Sequence, residues 1–319
     1  MIPHFLKIFL RTSLKSASYS LINISGLAVG MACSIFALLW ILDETSYDRF
    51  HEKKEQIFSI RTNLTSDDGI NTFPNTPGRL AEELKNFPEV EQSCRTAVNG
   101  SVLFTQQHQS FYEEGLYADA SLFNIFTFQY AEGDPSHPLP DANSVVITEQ
   151  LATKYFGQAS ALGKTFRINN KYDVRVTGVI RNLPTQSTLQ FHFILPYVHY
   201  ANEDQYNQEW GAWTGGNTYL QLRANSEVEA LNRKIAKDIT HAKIWPRWGN
   251  NVELFLFPLS DWHLKRFENG KLTDGVSKYI RIVAIIAGLI LIIACVNFMN
   301  LATARSMSRA KEIGVRKVV

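Results

Sequence analysis

Leu21–Leu42 reads LINISGLAVGMACSIFALLWIL, and Ile282–Ala304 reads IVAIIAGLILIIACVNFMNLATA. Neither run contains a charge over its 22 and 23 residues. At 1.5 Å per residue, about 20 apolar residues cross a hydrocarbon core of ~30 Å, so each run predicts a membrane-spanning helix. A buried helix of a soluble protein seldom runs that far without a charge. The fold class expected is therefore a membrane protein. Two transmembrane α-helices flank a mixed α+β extracytoplasmic domain, which the sequence suggests is built of two interleaved subdomains.

The flanking charges orient the spans. Lys7, Arg11 and Lys15 precede the first, with no acid before it, and Asp43 and Glu44 follow it. After the second come Arg305, Arg309, Lys311, Arg316 and Lys317 against Glu312 alone. Cations are retained in the cytoplasm, so both termini are expected inside and the segment between the spans outside. That segment, residues 43–281, holds 24 Lys and Arg against 29 Asp and Glu, a net charge of −5 concealed within a whole-chain +2. The organisation expected is a cytoplasmic surface helix over 1–20, a first span over 21–42, an exported domain over 43–279, a second span over 280–304 and a cytoplasmic segment over 305–319. In the first of these, Ile2, Phe5, Leu6, Phe9 and Leu10 share one helical face while the three cations recur every fourth residue on another. That pattern suits a helix lying among anionic headgroups.

Averaged over 319 residues the chain is 45% hydrophobic and 19% charged, with a mean hydropathy of −0.12. These values exclude a disordered chain and a strongly basic nucleic-acid binder. Three cysteines, two of them in the apolar runs, make neither a disulfide framework nor a zinc set. A cleavable signal is excluded by the length of the first run and the absence of a small-residue cleavage pattern after it. Gly30-Met31-Ala32-Cys33 departs from a lipoprotein box at Gly30. Within the spans, Gly26 and Gly30 are four apart, a spacing that lets a second helix approach closely. Asn23, Asn297 and Asn300 are costly in lipid and are expected to face protein.

Between the spans the patterns alternate between strand and helix. Gln56–Thr62, Ser144–Ile147, Lys164–Asn169, Tyr172–Ile180 and Val252–Leu259 predict strands, with a hairpin at Asn169-Asn170. Leu189, Phe191, Phe193 and Leu195 have the period-two spacing of a half-buried strand. Helices are expected over Gly78–Phe87 and Thr148–Phe156. A third follows the capping box Ser226-Glu227-Val228-Glu229, with Val228, Leu231, Ile235 and Ile239 on one face. Residues 132–141 and 201–217 are the candidate loops and boundaries.

Catalytic patterns are incomplete. Gly157–Thr165 (GQASALGKT) has five residues between its glycines where a phosphate loop needs four, and it follows a helix rather than a strand. His51-Glu52-Lys53-Lys54-Glu55 has Glu where a zinc helix needs its second His. Cys94 has no neighbour in sequence to activate it. Trp210, Trp213, Trp245, Trp248 and Trp262 fit a core or a stacking surface. No enzyme, resident cofactor or metal centre is expected.

The most informative run leaves the second span: Asn297-Phe298-Met299-Asn300-Leu301-Ala302-Thr303-Ala304-Arg305-Ser306, then Arg309-Ala310-Lys311-Glu312-Ile313-Gly314-Val315-Arg316-Lys317. It resembles the N-x-x-x-A-R-x-x-x-R-x-x-E-I-G-x-R-K run of FtsX/MacB-like ABC transporter permeases. Ile22–Gly30 resembles that family's first span. Tyr47–His51, Val146–Glu149, Tyr155–Gly157, Gly163–Thr165 and Thr177–Val179 resemble its MacB-like periplasmic core domain. The resemblance implies a permease subunit of the bacterial cytoplasmic (inner) membrane that binds no cofactor itself. A cognate ATPase subunit, carrying ATP and Mg, drives movement of the exported domain for export, extraction or mechanotransmission. Arg305, Arg309, Glu312, Gly314, Arg316 and Lys317 are the ATPase-coupling residues so implied, with Gly26, Gly30, Asn297 and Asn300 packing the helices. The partners implied are that ATPase, a second permease copy or homologue, membrane lipid and a periplasmic or outer-membrane protein, with no nucleic acid. Family members carry further spans, so the chain is expected to be the N-terminal part of a longer permease, unable alone to stimulate its ATPase. A two-span sensor with an exported ligand-binding domain is the alternative.

Overall fold

The computed structural model describes residues 17–98, 100–203, 208–210 and 215–316. Helix α1 spans Ala17–Glu44. Strands β1 (Ile57–Ser66) and β2 (Gly69–Phe73), helix α2 (Leu80–Leu84), and strands β3 (Val90–Ala97), β4 (Ser101–Gln106), β5 (Gln109–Glu114) and β6 (Leu116–Ala118) follow. Helix α3 (Leu122–Ile125), β7 (Tyr130–Gly133), β8 (Ser144–Thr148), α4 (Glu149–Phe156), β9 (Thr165–Ile168), β10 (Tyr172–Ile180), β11 (Phe193–Pro196) and α5 (Tyr197–Ala201) form the middle. The rest comprises β12 (Asn217–Leu222), α6 (Val228–Ile235), a π-helical stretch Ala236–Ile244, α7 (Trp245–Trp248), β13 (Val252–Pro258), β14 (Lys265–Glu268), β15 (Lys271–Asp274) and α8 (Val276–Arg316).

The chain separates into two units, the terminal helices and Ser46–Gly275. In the first, Ile24–Glu44 and Val276–Asn300 are long and apolar enough to cross a membrane. Their large side chains, Phe36, Ile293 and Met299 among them, are exposed, as a lipid-facing surface requires. Residues 1–16, with the surface helix expected there, lie outside the described residues.

In the second unit a 13-stranded sheet runs in the order β13-β1-β12-β3-β6-β11-β8-β10-β9-β4-β5, with β2 on β1 and β7 on β10. β8 pairs parallel with β10, and β6 with β11, while the other pairings are antiparallel. Separate apolar clusters pack along this one sheet. At one end Ile60, Leu220, Leu254 and Leu256 pack beneath α2 and the helical face Leu231, Ile235 and Ile239. Toward the other, Phe104, Phe166, Val174 and Phe193 pack with Leu151 and Tyr155 of α4.

The Asn169-Asn170 hairpin forms with both residues at positive φ (48° and 56°), closing Ile168 against Tyr172. Two sequence expectations give way. The strand expected over Leu189–Leu195 is confined to β11, and all four of its residues are buried. It lies between β6 and β8 in mid-sheet, where both faces are covered and alternation carries no information. The capping box does not form, because Ser226 Oγ donates to the carbonyls of Arg223 and Glu89 rather than accepting from the helix. Of the tryptophans, Trp210 is core, while Trp245 and Trp262 donate to the carbonyls of Val252 and Phe257. Trp213 and the side chain of Trp248 lie outside the described residues.

Candidate functional site

The terminal helices meet along small residues. A Cβ placed on Gly30 would lie 2.7 Å from the Cβ of Ala294, and one on Gly26 would lie 3.4 Å from Asn297 Nδ2. One further step of four along α1, Ser34 Oγ donates to the carbonyl of Ala287 at 3.2 Å. Gly26, Gly30 and Ser34 therefore form one stripe, with Asn297, Ala294 and Ala287 facing it. Close backbone approach without side-chain bulk is what holds helices together where lipid removes the hydrophobic drive. Ser34, Ala287 and Ala294 were not singled out in the sequence, although the four-residue repeat from Gly26 through Gly30 points straight to Ser34. Asn300 is exposed in this pair, and the side chain of Asn23 lies outside the description.

The apolar part of α8 ends near Asn300, yet the helix continues without a break to Arg316. Arg305, Arg309, Glu312, Gly314 and Arg316 therefore sit on one helical backbone continuous with the span, and Lys317 lies outside the described residues. At 1.5 Å per residue, 16 residues from Leu301 to Arg316 carry the backbone about 24 Å beyond the span. A continuous helix transmits displacement along its axis, which an intervening loop would absorb.

The exported-domain motifs hold the scaffold. Asp48, at φ 56°, accepts from Thr188 N at 2.8 Å and from Thr188 Oγ1, while its own N–H donates to Gln186 O at 2.9 Å. Burial raises its pKa, and the two Thr188 bonds partly offset the shift. His51 is 2% exposed, and its Nδ1 accepts from Thr127 N at 3.1 Å. Burial lowers its pKa to about 4, so the neutral ring places its proton on Nε2. Thr148 caps α4 by accepting from Leu151 N, and Gly157, at φ 62°, ends it. Gly163 N then donates to Val176 O at 2.8 Å, and Lys164 N to Ala161 O at 3.0 Å. The near-phosphate loop is thus a helix-to-strand turn in which the Gly157, Ala159, Leu162, Gly163 and Lys164 amides donate within the protein. Burial pushes the thiol of Cys94 well above the usual range, with the Asp119 charge adding to the rise, and among the described residues no cluster could hold a metal.

Comparison with known proteins follows the same lines. No curated protein matches the chain. A crystal structure of a domain of a protein assigned as a permease, from Porphyromonas gingivalis, superimposes with a TM-score of 0.55 at 20% identity, covering 73% of this chain and 99% of that one. The periplasmic region of MacB from Actinobacillus actinomycetemcomitans gives 0.47 at 15% identity, covering 65% and 90%. The extracellular domain of the noncanonic ABC-type transporter YknZ from Gram-positive bacteria gives 0.45 at 15%, covering 62% and 99%. The first shows a shared fold, and the other two are too distant to add to it. The description "MacB-like periplasmic core domain" matches residues 20–238, well over half the length, and the chain belongs to that family of FtsX/MacB-like permeases.

Proposed function

We propose that this chain is a permease subunit of an ABC transporter, lodged in the bacterial cytoplasmic membrane with both termini inside and residues 43–279 outside. A separate ATPase subunit docks on the α8 extension, and its ATP-driven movement shifts α8 along its axis, with α1 carried along by the Gly26–Gly30–Ser34 stripe. The observation that carries this reading is the unbroken helix from the second span to Arg316, within a chain whose exported part is a MacB-like core domain. Arg305, Arg309, Arg316 and Lys317 supply the cations for an acidic cleft, Glu312 a countercharge, and Gly314 room for close approach.

The test is co-purification of the cognate ABC ATPase with the full chain from native membranes. The wild type retains the ATPase, and Arg309→Glu with Arg316→Glu loses most of it while the chain stays in the membrane. A wild-type chain that never retains an ABC ATPase contradicts the proposal.

A further inference from the structure

Strand β13 lies at one end of the sheet, where it borders a cavity of about 310 Å³. Helix α6 lines the cavity with Glu229 and Asn232, which stand three residues apart and so share a face. Strands β13 and β1 contribute Glu253 and Asn63, opposite one another in the register, and Phe255 follows on the same side of β13. The β14–β15 hairpin adds Phe267, whose ring meets those of Phe255 and Phe257 at 5.3 and 5.0 Å. That hairpin is pinned to β2. Asn269 Oδ1 accepts from Ile70 N at 2.8 Å, and a Cβ on Gly270 would lie 2.6 Å from Ile70 Cγ2. The cavity is therefore built into the folded domain, and its volume falls at the small end of the ~300–1,000 Å³ typical of ligand sites.

The polar side chains of the cavity divide by what the protein has already used. Asn232 Oδ1 accepts from Leu256 N at 2.9 Å, and Asn63 Oδ1 accepts from Thr72 Oγ1 at 2.6 Å. Both amide oxygens are thus taken, and both Nδ2 groups remain as donors. Asn63 is only 8% exposed, so its Nδ2, without a partner among the described residues, is a buried donor that a ligand acceptor would satisfy. The Glu229 and Glu253 carboxylates likewise have no hydrogen-bond or ion-pair partner among the described residues. The cations of β1 and β14 are engaged elsewhere. Arg61 lies over the Phe257 ring at 5.3 Å, Arg266 pairs with Glu268, and Lys265 pairs with Asp261.

These features select the chemistry of an occupant. Two unspent carboxylates, in an exported segment of net charge −5, call for a cation. A bare metal ion does not suit the donor set, since no group of three His, Cys, Asp or Glu stands together among the described residues and aromatic rings fill the spaces between. The half-buried Phe255 and Phe267 rings call for an apolar face on the ligand, and an ammonium group beside them gains from their π-faces. The two Asn amides call for acceptor oxygens on the same molecule. We infer that this cavity binds an amino sugar. Its ammonium group is held by Glu229 and Glu253, its hydroxyl oxygens accept from Asn63 and Asn232, and its C–H face rests on Phe255 and Phe267. A plain polyamine would leave the buried Asn63 donor unmet, and a neutral sugar would leave both carboxylates without a countercharge. A free amino sugar and a deacetylated residue within a glycan share this chemistry, and chain length separates them. The site gives the exported domain a ligand of its own and does not depend on the ATPase partner.

The experiment is saturation-transfer NMR on the full chain in detergent, with D-glucosamine and its β-1,4-linked tetramer as probes, at about pH 6.5 where the amine is charged. Both should bind, and their N-acetylated counterparts should bind at least about tenfold more weakly, because acetylation removes the charge and keeps the ring. Glu229→Gln and Glu253→Gln should each weaken glucosamine binding at least about fivefold, as should Phe255→Ala. Both glutamates are exposed, so their amide variants keep the fold, which an unchanged thermal midpoint checks. A tetramer bound far more tightly than the monomer assigns the site to a glycan, and equal affinity assigns it to the free sugar. Absence of saturation transfer to either probe overturns the proposal, as does equal binding of N-acetylglucosamine. Glucosamine binding indifferent to both glutamine variants overturns it too, and so does displacement of glucosamine by spermidine at lower concentration than glucosamine itself requires. Sugar binding lost in Glu253→Gln with ATPase co-purification retained separates this site from the transporter reading.

Discussion

At His51 a single ring carries a measurable property of the whole domain. Its Nδ1 is occupied by the Thr127 N–H, and its Nε2 is buried without a partner among the described residues. Protonation would place a second N–H against the Thr127 donor and a charge where water does not reach. The folded pKa of about 4 lies below the ordinary 6.5, so the ring favours folding fully above pH 6.5. That contribution is lost as pH falls from 6.5 toward 4, by about 3 kcal/mol in all. Thermal unfolding of the full chain in detergent should show a midpoint that declines across this window. His51→Asn, whose side-chain oxygen can still accept from Thr127 and does not titrate, should flatten the decline. An unchanged slope in that variant would assign the acid sensitivity elsewhere.

At the scale of elements, the helix pair is decided by Gly30. A larger residue there meets the Ala294 Cβ at 2.7 Å, with helical backbone behind both. Gly30→Leu should separate α1 from α8, and Ala294→Gly added to it should restore part of the contact. A disulfide between Ser34→Cys and Ala287→Cys, with Cys33 and Cys295 removed, should form readily, drop severalfold with Gly30→Leu and recover in the double variant. Much of this scale is legible in sequence. Charge-free runs mark the spans, the Asn169-Asn170 pair marks a hairpin, and Leu231, Ile235 and Ile239 mark a buried helix face. What escaped follows physical lines. β3 and β12 are hemmed in by other strands and lack clean alternation, whereas β14–β15 carried a readable signal in Asn269-Gly270, both at positive φ. The π-helical stretch Ala236–Ile244 buries Ile239 and Ile244 in one cluster with Val252, Leu254 and Leu256 of β13, and no residue pattern in it marks the change of helix type.

At the scale of the molecule, sequence patterns leave the sheet order open, since pairings such as β1 with β13 join residues nearly 200 positions apart. The residues proposed for coupling show the reverse. Their spacing was readable as a family run, and the structure adds that the run is one helix with the second span. What meets that helix decides whether the chain serves an ABC ATPase. The most direct measurement places a photoreactive benzophenone amino acid at Arg309 of the full chain and irradiates intact cells. The account predicts an adduct with the ABC ATPase subunit from that position, and no ATPase adduct when the same group replaces exported Tyr112. An absence of ATPase adducts at Arg305, Arg309 and Glu312 alike, in a chain shown to be in the membrane, would contradict it.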